Sequence, residues 1–134
     1  MQSLACLNGT IMPVEEAKIS IWDRGFLFGD AVYEVFRVYQ GRPWLEAEHY
    51  ARLRRSLDAL EIGPLDLDTL AARARTTLAE SEIQEATLYI QITRGVAPRA
   101  HAFPDPPVEP TELIVVRPYD DTATAASRES GVSV

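Results

Sequence analysis

At 134 residues, with 46% hydrophobic and 25% charged side chains, the chain has the size and make-up of one globular domain. Its net charge of −7 argues against non-specific nucleic-acid binding, which needs basic surface to displace counterions, and fits a cytoplasmic protein with a small-molecule ligand. The lone cysteine, Cys6, excludes an internal disulfide and a cysteine-based zinc site, and without a leader or an apolar run of about 18 residues no secretion or membrane span is expected.

The chain opens with two short apolar runs around Asn8-Gly9. This dipeptide favours the positive φ angles of a type I′ turn, so a hairpin is predicted, with Pro13 placing its second arm at an edge. A short mixed stretch to Ile21 leads into a turn at Asp23-Arg24-Gly25. The longest strand candidate follows, Ala31 to Tyr39. Its faces separate by period two, with Ala31, Tyr33, Val35, Arg37 and Tyr39 on one and Val32, Glu34, Phe36 and Val38 on the other. A turn at Gln40 to Pro43 and a brief strand at Trp44-Leu45 come next.

Glu46 to Leu60 reads as a helix with Leu53, Leu57 and Leu60 at helical spacing, ended by Gly63-Pro64. Asp66 caps a second helix, whose stripe is Leu67, Leu70, Ala71, Ala74 and Leu78. Ala86 to Arg94 and Glu112 to Tyr119 alternate as strands, separated by a proline-rich loop from Gly95 to Pro110. After Asp120 the composition predicts neither helix nor cap. The expected fold class is α+β, a mainly antiparallel sheet with two helices on one face. Residues 1–120 would form the domain, and 121–134 an interdomain linker and the start of a further domain.

Two groups of residues point to chemistry. Arg99 and His101 flank Ala100, so in an extended segment both side chains project to one side, a suitable trap for a carboxylate. The competing reading is a solvated basic pair on a loop tip. Tyr33, Val35 and Arg37 share one strand face, and Tyr89 and Gln91 another. Phenols on a concave face can bind a ligand, or simply reach water from a half-buried sheet. Arg52 lies beside the apolar stripe of the first helix, with His49 three residues earlier. No metal-ligand spacing and no nucleophile elbow occur. From the residues alone, the chain is an α+β domain that binds a small anionic ligand.

Three motifs in order carry the reading further: DRGFLFGDAVYEVFRVYQG, EHYARLRRS and YIQITRGVAPRAHAFP. Together they resemble the N-terminal half of the class IV pyridoxal-phosphate aminotransferases, and the Arg99-Ala100-His101 element resembles the D-amino acid aminotransferases among them. The resemblance implies pyridoxal phosphate as cofactor, with Arg52 on its phosphate. It implies that Tyr33, Arg99 and His101 hold the substrate carboxylate, with Val35, Arg37 and Tyr89 lining the pocket. It also implies a homodimer, because Arg99 and His101 reach the neighbouring subunit's site in that family. The reaction implied is amino transfer between a D-amino acid and a 2-oxo acid. Lys18, the only lysine, matches nothing catalytic, so the Schiff-base lysine is expected beyond these residues, in a longer chain, and the fragment alone is expected to be inactive. The alternatives are a branched-chain aminotransferase, an aminodeoxychorismate lyase, or a non-catalytic assembly domain of the same fold.

Overall fold

A computed structural model describes all residues from Met1 to Val134. Six strands form one antiparallel sheet in the order β2-β1-β6-β5-β3-β4. The strands are β1 (Leu4–Leu7), β2 (Thr10–Pro13), β3 (Ala31–Tyr39), β4 (Arg42–Pro43), β5 (Ala86–Thr93) and β6 (Thr111–Pro118). The first hairpin forms as expected: Asn8 and Gly9 both take positive φ, and Pro13 sits on the outermost strand.

Helices α2 (Glu46–Ala59) and α3 (Leu67–Ser81) cover one face of the sheet. Leu53 and Leu57 from α2, and Leu70, Ala74 and Leu78 from α3, close on Phe36, Leu88, Ile90 and Ile114 from the strands. Asp66 caps α3, its carboxylate accepting from the Asp68 amide at 3.0 Å and the Thr69 hydroxyl at 2.7 Å. The other sheet face leaves Tyr33, Val35 and Tyr39 exposed, with the short 3-10 turn Val14–Glu16 beside Val35 and Tyr89. The architecture is the α+β arrangement read from the sequence.

Four local expectations change. The Asp23 turn is a one-turn helix, α1 (Arg24–Phe28), because Asp23 accepts from the Gly25 amide at 2.8 Å and Gly29 ends it in the left-handed region. The brief strand lies at Arg42–Pro43 rather than Trp44-Leu45, since Leu45 at φ 53° breaks the extended chain. Leu60 leaves the helical stripe and is exposed. After Asp120 the chain forms a helix after all, α4 (Thr122–Ser130). Asp120 accepts from the Thr122 amide at 2.9 Å, and its alanines favour helix although nothing on it is buried.

Asp23 also joins distant ends of the chain. It is fully buried, and its second carboxylate oxygen accepts from the Thr111 hydroxyl at 2.6 Å. Thr111→Val keeps the shape and removes that donor, so stability should fall by about 1–3 kcal/mol. Urea unfolding monitored by tryptophan fluorescence reads this as a lower midpoint at an unchanged m-value.

Candidate functional site

The two faces of β3 diverge in environment. Val32, Glu34, Phe36 and Val38 are buried under the helices, whereas Tyr33, Val35 and Tyr39 are exposed on the open face. Tyr33 pairs with Gln91 and Val35 with Tyr89 on β5. The Tyr33 and Tyr89 rings lie 5.8 Å apart, and Tyr89 donates its hydroxyl to Gln91 Oε1 at 2.8 Å. Burial, and then the neighbouring Tyr33, push the Tyr89 phenol up. It therefore stays a neutral donor on a largely apolar wall.

Glu34 is a carboxylate on a core face, so it requires partners. Arg52 supplies Nε and Nη2, each donating at 2.7 Å, and His49 Nδ1 lies 2.7 Å from the same carboxylate. The Arg52 bonds, opposed by burial and assisted by His49, hold the Glu34 carboxyl below the usual carboxylate range. The bidentate pairing fixes the guanidinium plane, yet the Arg52 side chain remains 60% exposed. Its Nη1 edge is left over at a rim shared with Tyr33, Val35 and Ser56. A fixed cationic edge beside an open hydroxyl-bearing face suits a phosphate.

Arg37 shares the open face but its charge is already engaged. It donates to Glu85 at 2.6 Å, to Asp121 at 2.9 Å and to the carbonyl of Val38. The rings of Tyr39 and Tyr119 enclose it at 4.3 and 4.4 Å. Arg37 thus ties β3 to the start of α4, and is no free cation for a substrate.

Arg99 and His101 form a second group on the loop between β5 and β6. Both are exposed, and both rest on the ring of Phe28: the Arg99 guanidinium at 5.2 Å and the His101 ring at 5.6 Å. The backbone beneath them is held by Arg24, whose Nη1 donates to Ala100 O at 2.7 Å and to Ala102 O at 3.3 Å. The loop begins with a bridge between Asp23 and Val96 and a bond from the Arg24 amide to Gly95 O at 2.9 Å. The Arg-Ala-His segment is therefore docked on α1.

The family model for amino-transferase class IV matches residues 31–134. The chain belongs to that family. A D-alanine aminotransferase from Staphylococcus aureus is 45% identical over 118 residues, which is 85% of this chain and 41% of the relative. Among solved structures, the 4-amino-4-deoxychorismate lyase of Pseudomonas aeruginosa matches with a TM-score of 0.72 at 28% identity, over 92% of this chain and 42% of that one. The branched-chain amino acid aminotransferase of Escherichia coli matches with a TM-score of 0.83 at 20% identity, over 95% and 43%. The chain spans about two-fifths of the length of the curated relatives it matches. Class IV aminotransferases are pyridoxal-phosphate enzymes. No helix of the chain is long and apolar enough to cross a membrane.

Within this class IV domain the structure gathers Tyr33, Val35, Tyr89 and Arg52 on or beside the open face, and Arg99 with His101 on the docked loop. The sequence reading missed the supports: Glu34 under Arg52, Phe28 under the loop, and the ion cluster of Arg24, Asp30 and Arg94. Two left a trace in the sequence. Glu34 stood alone on an apolar face, and Arg24 and Asp30 flank the glycines of an otherwise apolar stretch.

Proposed function

We propose that this chain is the substrate-carboxylate half of a D-amino acid aminotransferase, working with pyridoxal phosphate on a D-amino acid and a 2-oxo acid. The observation that carries the reading is the Arg99-Ala100-His101 segment, whose two side chains stand on one aromatic ring over a fixed backbone. The similarity to D-alanine aminotransferases supports it.

In this reading Arg99 binds the substrate carboxylate with its planar fork while His101 and the Tyr33 hydroxyl supply further donors. Holding the carboxylate fixes which face of Cα presents its proton, and orientation is what a stereospecific proton transfer needs. Val35 and Tyr89 wall the substrate and exclude water. Arg52 binds the cofactor phosphate with the edge that Glu34 leaves over. The cofactor, when bound, supplies the electron sink that makes the Cα proton labile. Lys18 is exposed on the segment before α1 and takes no part. The cofactor's lysine is supplied by the remainder of the enzyme.

A homodimer follows from the same reading, since the loop would serve a neighbouring subunit's site. The exposed Ile21, Trp22, Phe26, Val96 and Phe103 on and around the loop and α1 support an apolar contact there. A cytoplasmic location accords with the substrates.

The test is a side-by-side assay of the intact gene product with D-alanine, L-leucine and aminodeoxychorismate. Pyruvate formation from D-alanine in the presence of a 2-oxo acid acceptor is the expected result. Preferential turnover of L-leucine, or lyase activity on aminodeoxychorismate, would assign the chain to another branch of the family. Absence of all three activities would favour a non-catalytic domain.

A further inference from the structure

The ion cluster at the base of the loop does more than its buried position requires. Asp30 accepts from Arg24 Nε at 2.8 Å, and from Arg94 Nε at 2.8 Å and Nη2 at 3.1 Å. Two guanidiniums face one carboxylate, so the cluster carries one excess positive charge and must find further acceptors. It finds four backbone carbonyls. Arg94 takes Leu60 O at 2.7 Å and Glu61 O at 2.9 Å, just past the end of α2. Arg24 takes Ala100 O and Ala102 O.

The choice of those two carbonyls is informative. They belong to the residues that directly follow Arg99 and His101, so one guanidinium holds the Ala100–His101 and Ala102–Phe103 peptide planes, on either side of His101 and one residue past Arg99. The same guanidinium lies 4.8 Å from the centre of the Phe28 ring on which Arg99 and His101 rest. Backbone and side chains of the segment are thus referred to a single buried side chain, itself oriented by Asp30 and Arg94. Arg94 extends the platform by stacking on Phe103 at 3.7 Å.

We propose that Arg24 is a positioning residue for the substrate carboxylate, acting through the backbone of Arg99 to Ala102, with Asp30 as its orienting partner. This rests on the reading of Arg99 and His101 given above. A binding group displaced by an ångström loses most of its value in aligning a reacting bond, so the cost of losing the clamp falls on substrate handling.

The experiment uses the intact enzyme with Arg24→Met, Arg24→Lys, Arg99→Ala and the double variant Arg24→Met with Arg99→Ala. Asp30 keeps its partner Arg94 in all four, so the cluster remains charge-paired. Arg24→Met is expected to raise KM for D-alanine about tenfold, the value of one well-made charge-assisted contact, with a much smaller change in kcat. Arg24→Lys, which reaches one carbonyl without the fork, should fall between wild type and Arg24→Met. The double variant should fall short of the product of the two single effects, because Arg24 works through Arg99 as well as His101. A structural role alone would lower the melting temperature without shifting KM. KM within twofold of wild type for Arg24→Met, or multiplying effects, overturns the proposal while leaving the carboxylate assignment intact. An unchanged KM in Arg99→Ala instead removes that assignment and the proposal with it. If Arg24→Met does not fold, the same criteria are applied to Arg24→Lys alone and in combination with Arg99→Ala.

Discussion

Asp30→Asn is expected to destabilise the protein by about 3–5 kcal/mol at neutral pH, the usual cost of breaking a buried ion pair by neutralising one partner. The side chains of Arg24, Arg94 and Asp30 are 5%, 9% and 12% exposed. Asparagine keeps the shape and one acceptor oxygen, but it leaves two guanidiniums with only carbonyl groups to offset their desolvation. The effect depends on pH in a direction the contacts fix. Burial by itself would raise the Asp30 carboxyl, but the hydrogen bonds and charges of Arg94 and Arg24 outweigh it and hold the carboxyl below its ordinary value. A carboxyl depressed in the folded state contributes stability above its unfolded value, about 4, and loses that contribution as the pH falls through the folded one. The gap in stability between wild type and Asp30→Asn should therefore be constant from neutral pH down to about pH 5 and close below about pH 4. Urea midpoints measured across that range test it. A gap that persists unchanged into strong acid would mean that shape rather than charge holds the cluster.

This sensitivity connects stability to the proposed chemistry. The same carboxylate orients Arg24 under the loop, so loss of the Asp30 charge should loosen the segment proposed to bind the substrate carboxylate before the core. The core itself is made from Phe36, Leu53, Leu57, Leu88 and Ile90, which lie on other faces of the chain's elements. The proposed site and the bulk packing occupy different faces of the sheet, and Glu34 is where they meet. It sits among core side chains, yet its carboxylate holds the arginine proposed for the cofactor phosphate.

The legible parts of this molecule are those written in local periodicity. The alternation along Ala31 to Tyr39 assigned every residue of β3 to its observed face, and the leucine and alanine spacing of α2 and α3 located both covering helices. The Asn8-Gly9 hairpin was legible because a two-residue turn needs no distant partner. What could not be read was the pairing of charges far apart in the chain. Arg24 meets Ala100 across 76 residues, Arg94 meets Asp30 across 64, and Arg37 meets Asp121 across 84. Nothing in the spacing of either partner specifies the other. That is why spacing could not show that the Arg37 guanidinium, expected on the pocket wall, is engaged by Glu85 and by Asp121 at the start of α4. It is also why α4 went unseen: with no buried stripe it has no hydrophobic period, and its signals are an aspartate just before it and a few alanines. For the site, the resemblance of three ordered motifs brought Arg52, Arg99 and His101 forward, while which partners the supporting residues take emerged from geometry.

Gly95→Ala tests the other end of the loop, and its expected cost is about 2–6 kcal/mol, the sum of backbone strain and overpacking. Gly95 sits at φ 112°, a conformation L-residues rarely adopt, at the point where β5 gives way to the loop. A methyl group there would also run into the carbonyl of Glu109 on the returning arm, far inside van der Waals contact, and crowd Val108. The two arms of the loop approach this closely because the position lacks a side chain. Relief would require Val108 and Glu109 to move outward, pulling on Thr111 and through it on the buried Asp23 carboxylate. That carboxylate caps α1, the helix on which Arg99 and His101 are docked. The variant should therefore combine a lowered urea midpoint with faster hydrogen exchange at the amides of Arg24 and Gly25. Gly41→Ala serves as the control, since its positive φ carries strain but its added methyl would face the mobile end of Gln84. If both substitutions cost the same, backbone strain alone accounts for Gly95; a distinctly larger loss at Gly95, with the exchange change confined to that variant, supports the close crossing of the loop arms as what seats the segment.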